Sequence, residues 1–229
     1  MSLKISDFEA VIFDMDGVLI DSEPLWKIAM DAVFSELGST LQKSDFQKTV
    51  GLRIDEVIHF WNLHESWGIE DEEVVQEKII LKMEELIASN AQPLPGVIET
   101  LTFLKSKGLK IGLATSSSSR LIRIVLRELA IVDFFDFTHS AETEDYGKPH
   151  PAVYLTVAQK LAVHPTKCLV IEDSFNGVIA GLAAKMKVVC IPEKTHFPNP
   201  KLALADFQFE TMNKMLEDFL IFDSSLIKT

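Results

Sequence analysis

From residue 97 to residue 192, short apolar runs alternate with amphipathic stretches, and that alternation leaves few folds open. Strands are expected at LKIGLAT (109–115), around 135–139, at KCLVIED (167–173) and at VVCIP (188–192). Helices are expected between them over 97–107, 119–129, 150–162 and 174–185. An apolar run over 8–14 reads as a first strand, and FQF (207–209) as a last one before a terminal helix. Strands joined through helices form βαβ units, and these build a parallel sheet with helices on both faces. The expected fold class is a doubly wound, Rossmann-like α/β core.

Residues from Ser22 to about Ala91 have another texture. They read as helix in four pieces with no strand signal: SEPLWKIAMDAVFSELG, KSDFQKTVG, RIDEVIHFWNLHESWG and DEEVVQEKIILKMEELIASN. Ser22 is the expected cap of the first piece and Gly38 its end. The acidic residues opening the last piece suit a helix N-terminus. The chain is therefore expected to comprise a core of residues 1–18 and 94–229 with a helical domain, 19–93, inserted after the first strand. Hinges are expected near Val18–Ser22 and Gln92–Gly96.

Ligands of open parallel sheets bind beyond the carboxyl ends of the strands. The sequence places Asp14-Met15-Asp16-Gly17 there after the first strand, Thr115-Ser116-Ser117-Ser118 after the second, Gly147-Lys148-Pro149 after the third and Glu172-Asp173 after the fourth. Carboxylates gathered from separate strands repel one another unless a cation sits among them. Oxygen ligands suit a hard divalent ion, Mg2+. Hydroxyls, backbone N–H groups and Lys148 would hold phosphate oxygens. Asp14 could then attack phosphorus, Asp16 could move the leaving-group proton, and Gly17 would let the backbone bend around them. Taken singly each feature has a plainer reading: Asp-x-Asp-Gly as a turn, Ser118 or Ser119 as a helix cap, Lys148 as a loop lysine, Ser174 as an N-cap.

A net charge of −12 argues against nucleic acid or an anionic membrane as partner. No run is long enough to span a bilayer and no basic-then-apolar leader opens the chain, so the expectation is a cytoplasmic monomer acting on a small phosphorylated metabolite. Cys168 and Cys190, both in apolar runs, read as buried thiols. The six histidines, 59, 64, 139, 150, 164 and 196, show no metal-ligand spacing and read as structural or surface groups.

DMDGVLIDSE, LATSSS, GKPHP and VIEDSFNG, in this order, resemble the four motifs of the haloacid dehalogenase superfamily, and the stretch between the first two resembles its C1-type cap. The nearest branch is that of β-phosphoglucomutase-like enzymes and hexose-phosphate phosphatases. The resemblance implies Asp14 as nucleophile, Asp16 as general acid/base with its backbone carbonyl on Mg2+, Thr115 and Ser116 as phosphate donors, Lys148 as the motif-three lysine, and Asp173 with Glu172 as metal ligands. Dehalogenases of this fold lack the second aspartate, because a halide needs no proton. Phosphonate-cleaving relatives use a cap lysine, for which Lys27 is the nearest counterpart. In the cap, Arg53 is expected to reach a second phosphate or another substrate anion, the plainer reading being a surface arginine paired with Asp55 or Glu56; Trp26 is expected either to stack on a sugar face or to fill the core. Trp26 stands where β-phosphoglucomutases have a histidine, which favours water as the phosphoryl acceptor. The leading expectation is a Mg2+-dependent phosphatase acting on a hexose phosphate. The alternatives are a phosphomutase, an inorganic pyrophosphatase and a non-catalytic, receiver-like module phosphorylated on Asp14.

Overall fold

The computed structural model describes residues 3–42, 44–192 and 199–225, the last four of these for backbone only. Six strands, β1 Ala10–Phe13, β2 Lys110–Thr115, β3 Phe137–Ser140, β4 Cys168–Glu172, β5 Lys187–Cys190 and β6 Phe207–Gln208, pair in the order β3-β2-β1-β4-β5-β6. Every pairing is parallel. This is the doubly wound α/β fold expected from the sequence. The strand order reverses at β1, so the crevice lies beyond the ends of β1 and β4.

Strand periodicity divides the core. Val11 and Phe13 of β1, with Leu169 and Ile171 of β4, face one hydrophobic layer. Ala10, Ile12, Cys168 and Val170 face the other. Helices α4 Val97–Ser106, α5 Ser119–Glu128 and α8 Met212–Ser225 cover the first face, while α6 Ala152–Lys160 and α7 Phe175–Ala183 cover the second. Both faces of β1 are fully buried, which accounts for its unbroken apolar run.

Between β1 and α4 lie α1 Glu23–Glu36, α2 Ile54–Glu65 and α3 Glu72–Asn90. The stretch KSDFQKTVG, expected as helix, forms only a 3-10 turn over Asp45–Thr49. Phe34 and Phe46 meet edge to face, Phe34 also contacts Trp67, and Trp61 is buried, so the helical segment has its own aromatic centre. The chain leaves and re-enters the core along neighbouring paths. Ile20 bridges Pro93, and the Leu94 N–H donates to the Leu19 carbonyl at 3.0 Å. Arg120 of α5 reaches α3, forming ion pairs with Glu77 and Glu84.

Candidate active site

The site is assembled at the ends of β1, β2 and β4. The Asp14 N–H donates to the Ile171 carbonyl at 3.0 Å, so the sheet pairing fixes the backbone that carries the first carboxylate. The chain then folds back on itself, with the Leu19 N–H donating to the Met15 carbonyl and the Gly17 N–H to the Ile20 carbonyl. Gly17 has a φ of +69°, and a Cβ there would overlap the Asp173 carboxylate. Glycine is therefore required twice at this position, for its backbone conformation and for the approach of the β1 loop to the β4 loop.

Lys148 is the centre of the assembly. Its Nζ donates to Asp14 Oδ1 at 2.8 Å, Glu172 Oε1 at 2.7 Å and the Ala114 carbonyl at 3.1 Å, and the side chain is buried. Glu172 is equally enclosed. Its Oε1 also accepts from the Tyr154 hydroxyl, and its Oε2 accepts from the N–H groups of Asp173 and Ser174 and from Ser174 Oγ. Burial alone would raise the Glu172 pKa, but Lys148 and these donors hold it below its usual value. Burial likewise works against the Lys148 charge, and the Asp14 and Glu172 carboxylates overcome it. Asp14 is less fully compensated: burial, aided by Glu172 and Asp16, pushes its pKa up to about 7 despite Lys148. Burial, Glu172 and Asp14 push Asp173 well above the usual carboxylate range.

Asp16 has different surroundings. Its Oδ1 accepts from Ser22 Oγ at 2.5 Å and Trp26 Nε1 at 3.0 Å, and its Oδ2 accepts from Ser117 Oγ at 2.6 Å and Thr115 Oγ1 at 3.4 Å. Two carboxylates two residues apart are thus held in contrasting ways, one against an ammonium and the other by neutral donors. Ser22 does not cap α1 through its side chain, because its hydroxyl is spent on Asp16.

One oxygen from each of Asp14, Glu172 and Asp173 lies within 4.8 Å of the others. An all-carboxylate set selects hard cations. Burial first, and the neighbouring carboxylates second, raise the pKa values of Asp14 and Asp173, and a divalent cation among them would oppose both effects. These residues therefore fit Mg2+. Glu172, with both oxygens already accepting hydrogen bonds, is less free to turn toward an ion than Asp14 or Asp173.

Asp14, Asp16, Trp26, Thr115, Ser116, Lys148 and Asp173 all line one cavity. Arg53 is not among its lining residues. Its Nη1 donates to the carbonyls of Ala141 and Glu144 at 3.2 and 2.8 Å, and its Nη2 pairs with Asp55. Ser116 Oγ donates across to the Gly51 carbonyl, which leaves its backbone N–H as the group to offer a phosphate. Lys27 pairs with Glu23 and does not line the cavity. Ser118 and Ser174 cap α5 and α7. His59, His64, His139, His150 and His164 lie outside the cavity; His59 and His139 meet Glu72 and Glu144, and His64 meets the Phe60 carbonyl. His196 is outside the described residues. Sequence reasoning missed Tyr154, whose hydroxyl stands between apolar neighbours in a helical run, and the contact of Ser117 with Asp16.

Two outcomes are expected of this geometry. Asp14 has an ordinary pKa of 3.8 and titrates near about 7 in the fold, so the stability linked to its protonation is fully present below 3.8 and is lost as pH rises through about 7. Calorimetry should show a larger gain in Tm on adding Mg2+ at pH 8 than at pH 5. Titration should show apparent Mg2+ affinity rising at least about tenfold per pH unit between about pH 5 and 7, and more steeply where Asp173 also gives up a proton. Equal gains at both pH values would contradict this account. Replacing Gly17 with Ala should displace the Asp173 carboxylate, weaken Mg2+ binding at least about tenfold and cost about 1–2 kcal/mol of stability. Unchanged metal affinity would show that the close approach is dispensable.

The description "haloacid dehalogenase-like hydrolase" matches residues 8–185. The chain is 39% identical over 207 residues to hexitol phosphatase B of Escherichia coli (strain K12), spanning 90% of this chain and 93% of that protein. It is 29% identical over 227 residues to β-phosphoglucomutase of Bacillus subtilis (strain 168), spanning 94% and 99%. The crystal structure of a β-phosphoglucomutase from Clostridium difficile superposes with a TM-score of 0.80 at 27% identity, covering 95% of this chain and 99% of that one. With the match extending over all four strand-end motifs, the chain belongs to the haloacid dehalogenase-like hydrolases.

Proposed function

We propose that this protein is a Mg2+-dependent phosphatase that hydrolyses a phosphorylated sugar or sugar alcohol through an aspartyl phosphate on Asp14. The observation that carries this reading is the contrast between Asp14, held by Lys148, and Asp16, held by neutral donors at the same cavity. In this reading Asp14 serves as the nucleophile and Asp16 as the proton carrier. The likeness to hexitol phosphatase B supports the substrate class.

In this reading an Asp14 oxygen attacks phosphorus while the bond from phosphorus to the sugar oxygen breaks. Asp16 in its acid form gives its proton to that departing oxygen. Asp16, now a carboxylate, takes a proton from water as the water attacks the aspartyl phosphate. The bond to Asp14 breaks, inorganic phosphate leaves and both aspartates return to their starting states. Lys148 keeps Asp14 oriented and offsets charge on the phosphoryl oxygens. Thr115 and the Ser116 N–H bind those oxygens. Asp14, Asp173 and the Asp16 carbonyl would hold Mg2+, with Glu172 fixing Lys148 behind them. Bound there, the ion supplies charge stabilisation for the transferring group. Residues 19–93 serve as a cap over the core of residues 1–18 and 94–229, turning about the paired segments at Ile20 and Pro93.

The cavity wall contributed by the helical segment favours a monophosphate. Met30, Phe46, Leu52, Ile54 and Val57 line it, and Lys148 is the only cation among the described lining residues. Arg53, the expected partner of a second anion, is committed to backbone carbonyls and Asp55. A mutase must accommodate a bisphosphate and a pyrophosphatase a second phosphoryl group, and neither finds a second cation here.

Asp14→Asn should fold normally and lose at least about 10⁴-fold in kcat for phosphate release. Full activity in that variant would remove Asp14 as nucleophile. In a Mg2+ assay, kcat/KM for glucose 6-phosphate and sorbitol 6-phosphate should exceed that for fructose 1,6-bisphosphate and pyrophosphate by about tenfold or more, because an unpaired anion loses at least about 1.4 kcal/mol there. Isomerisation of β-glucose 1-phosphate outpacing phosphate release would instead favour the mutase. A phosphoenzyme lasting hours in water would favour the receiver-like module.

A further inference from the structure

Trp26 has two uses open to it in this cavity: its ring face could carry a sugar, or its N–H edge could serve a neighbouring group. The structure shows the second in use. The half-buried indole directs Nε1 onto Asp16 Oδ1 at 3.0 Å. Ser22, one helical turn earlier and buried, directs its hydroxyl onto the same oxygen at 2.5 Å. The Trp26 N–H donates to the Ser22 carbonyl at 2.9 Å, so the two side chains project from the same face of the first turn of α1. From the opposite side, Ser117 and Thr115 at the end of β2 hold Oδ2. The carboxylate is thereby fixed between the helical segment and the core, and rotation about its χ angles breaks bonds to one or the other.

We propose that Trp26 is a positioning residue for proton transfer: its indole N–H, together with the Ser22 hydroxyl, aims Asp16 at the leaving oxygen of the substrate. The proposal rests on the phosphatase reading above. Indole offers one donor on a rigid plane, so it can set the direction of the carboxylate while accepting no proton itself.

The test uses the leaving group. Breaking the ester of p-nitrophenyl phosphate needs little protonation of the departing oxygen, whereas a sugar alkoxide needs it fully. kcat/KM reports events up to the first irreversible step, here formation of the phosphoenzyme. In Trp26→Phe, which keeps an aromatic face and loses the N–H, kcat/KM for sorbitol 6-phosphate should fall about ten- to a hundredfold further than that for p-nitrophenyl phosphate. KM for the sugar phosphate should change little. Ser22→Ala should show the same skew, and melting curves in Mg2+ should confirm that both variants are folded. Equal losses on the two substrates, no loss on either, or a raised KM with kcat intact would overturn the proposal, the last in favour of sugar stacking. Loss of the skew while Asp14→Asn remains inactive would remove the role of Trp26 alone. Retained activity in Asp14→Asn would remove the phosphatase reading beneath it.

Discussion

The ammonium of Lys148, shared between Asp14 and Glu172, is the interaction on which the rest of the site depends. A buried lysine is costly unless paired, and two buried carboxylates within reach of each other are costlier still. Placing one cation between them makes both tolerable and joins the ends of β1 and β4, with the Ala114 carbonyl adding β2. The fold supplies the precondition. Parallel strands all present their carboxyl ends on one side, so residues far apart in sequence arrive together without a long loop.

The pairing is incomplete in a useful way. One positive charge faces three carboxylates, those of Asp14, Glu172 and Asp173, and burial together with that deficit raises the pKa values of Asp14 and Asp173. Glu172 takes most of the compensation, including the hydroxyl of Tyr154 and the N–H groups of Asp173 and Ser174 just ahead of α7. What remains is a pair of acids, Asp14 and Asp173, electrostatically prepared for a further cation. Asp16 accepts from hydroxyls and an indole rather than from Lys148, and its nearby carboxylate adds to the burden on Asp14 and Asp173. The two aspartates thus differ in their immediate partners, an ammonium for Asp14 and neutral donors for Asp16.

Much of this was legible in the chain itself. The apolar runs and their spacing gave the strands to within a few residues, because a strand buried on both faces has little choice of composition. The motif residues Asp14, Lys148 and Asp173 were legible as strand-end groups, since chemistry in this architecture gathers there. What could not be read were contacts made by residues with two plausible employers. Ser22 looks like a helix cap and is one by position, yet its hydroxyl goes to Asp16. Arg53 looks like an anion receptor and instead fastens the start of α2 to the loop after β3. Tyr154 sits in a helical pattern that its ring satisfies, which conceals the hydroxyl beneath Glu172. Local pattern states where such a side chain begins; only the assembled neighbourhood determines where its polar end is used.

The side-by-side passage of the chain at Ile20 and Pro93 carries a consequence for how such a protein can change over generations. The ends of the helical segment emerge from the sheet as neighbours, and the strands behind them pair without its help. A segment attached through adjacent ends can be lengthened, shortened or exchanged while the carboxylates and lysine beneath keep their register. Change in that segment is thereby kept apart from the hydrogen-bonded strands whose ends carry Asp14 and Glu172.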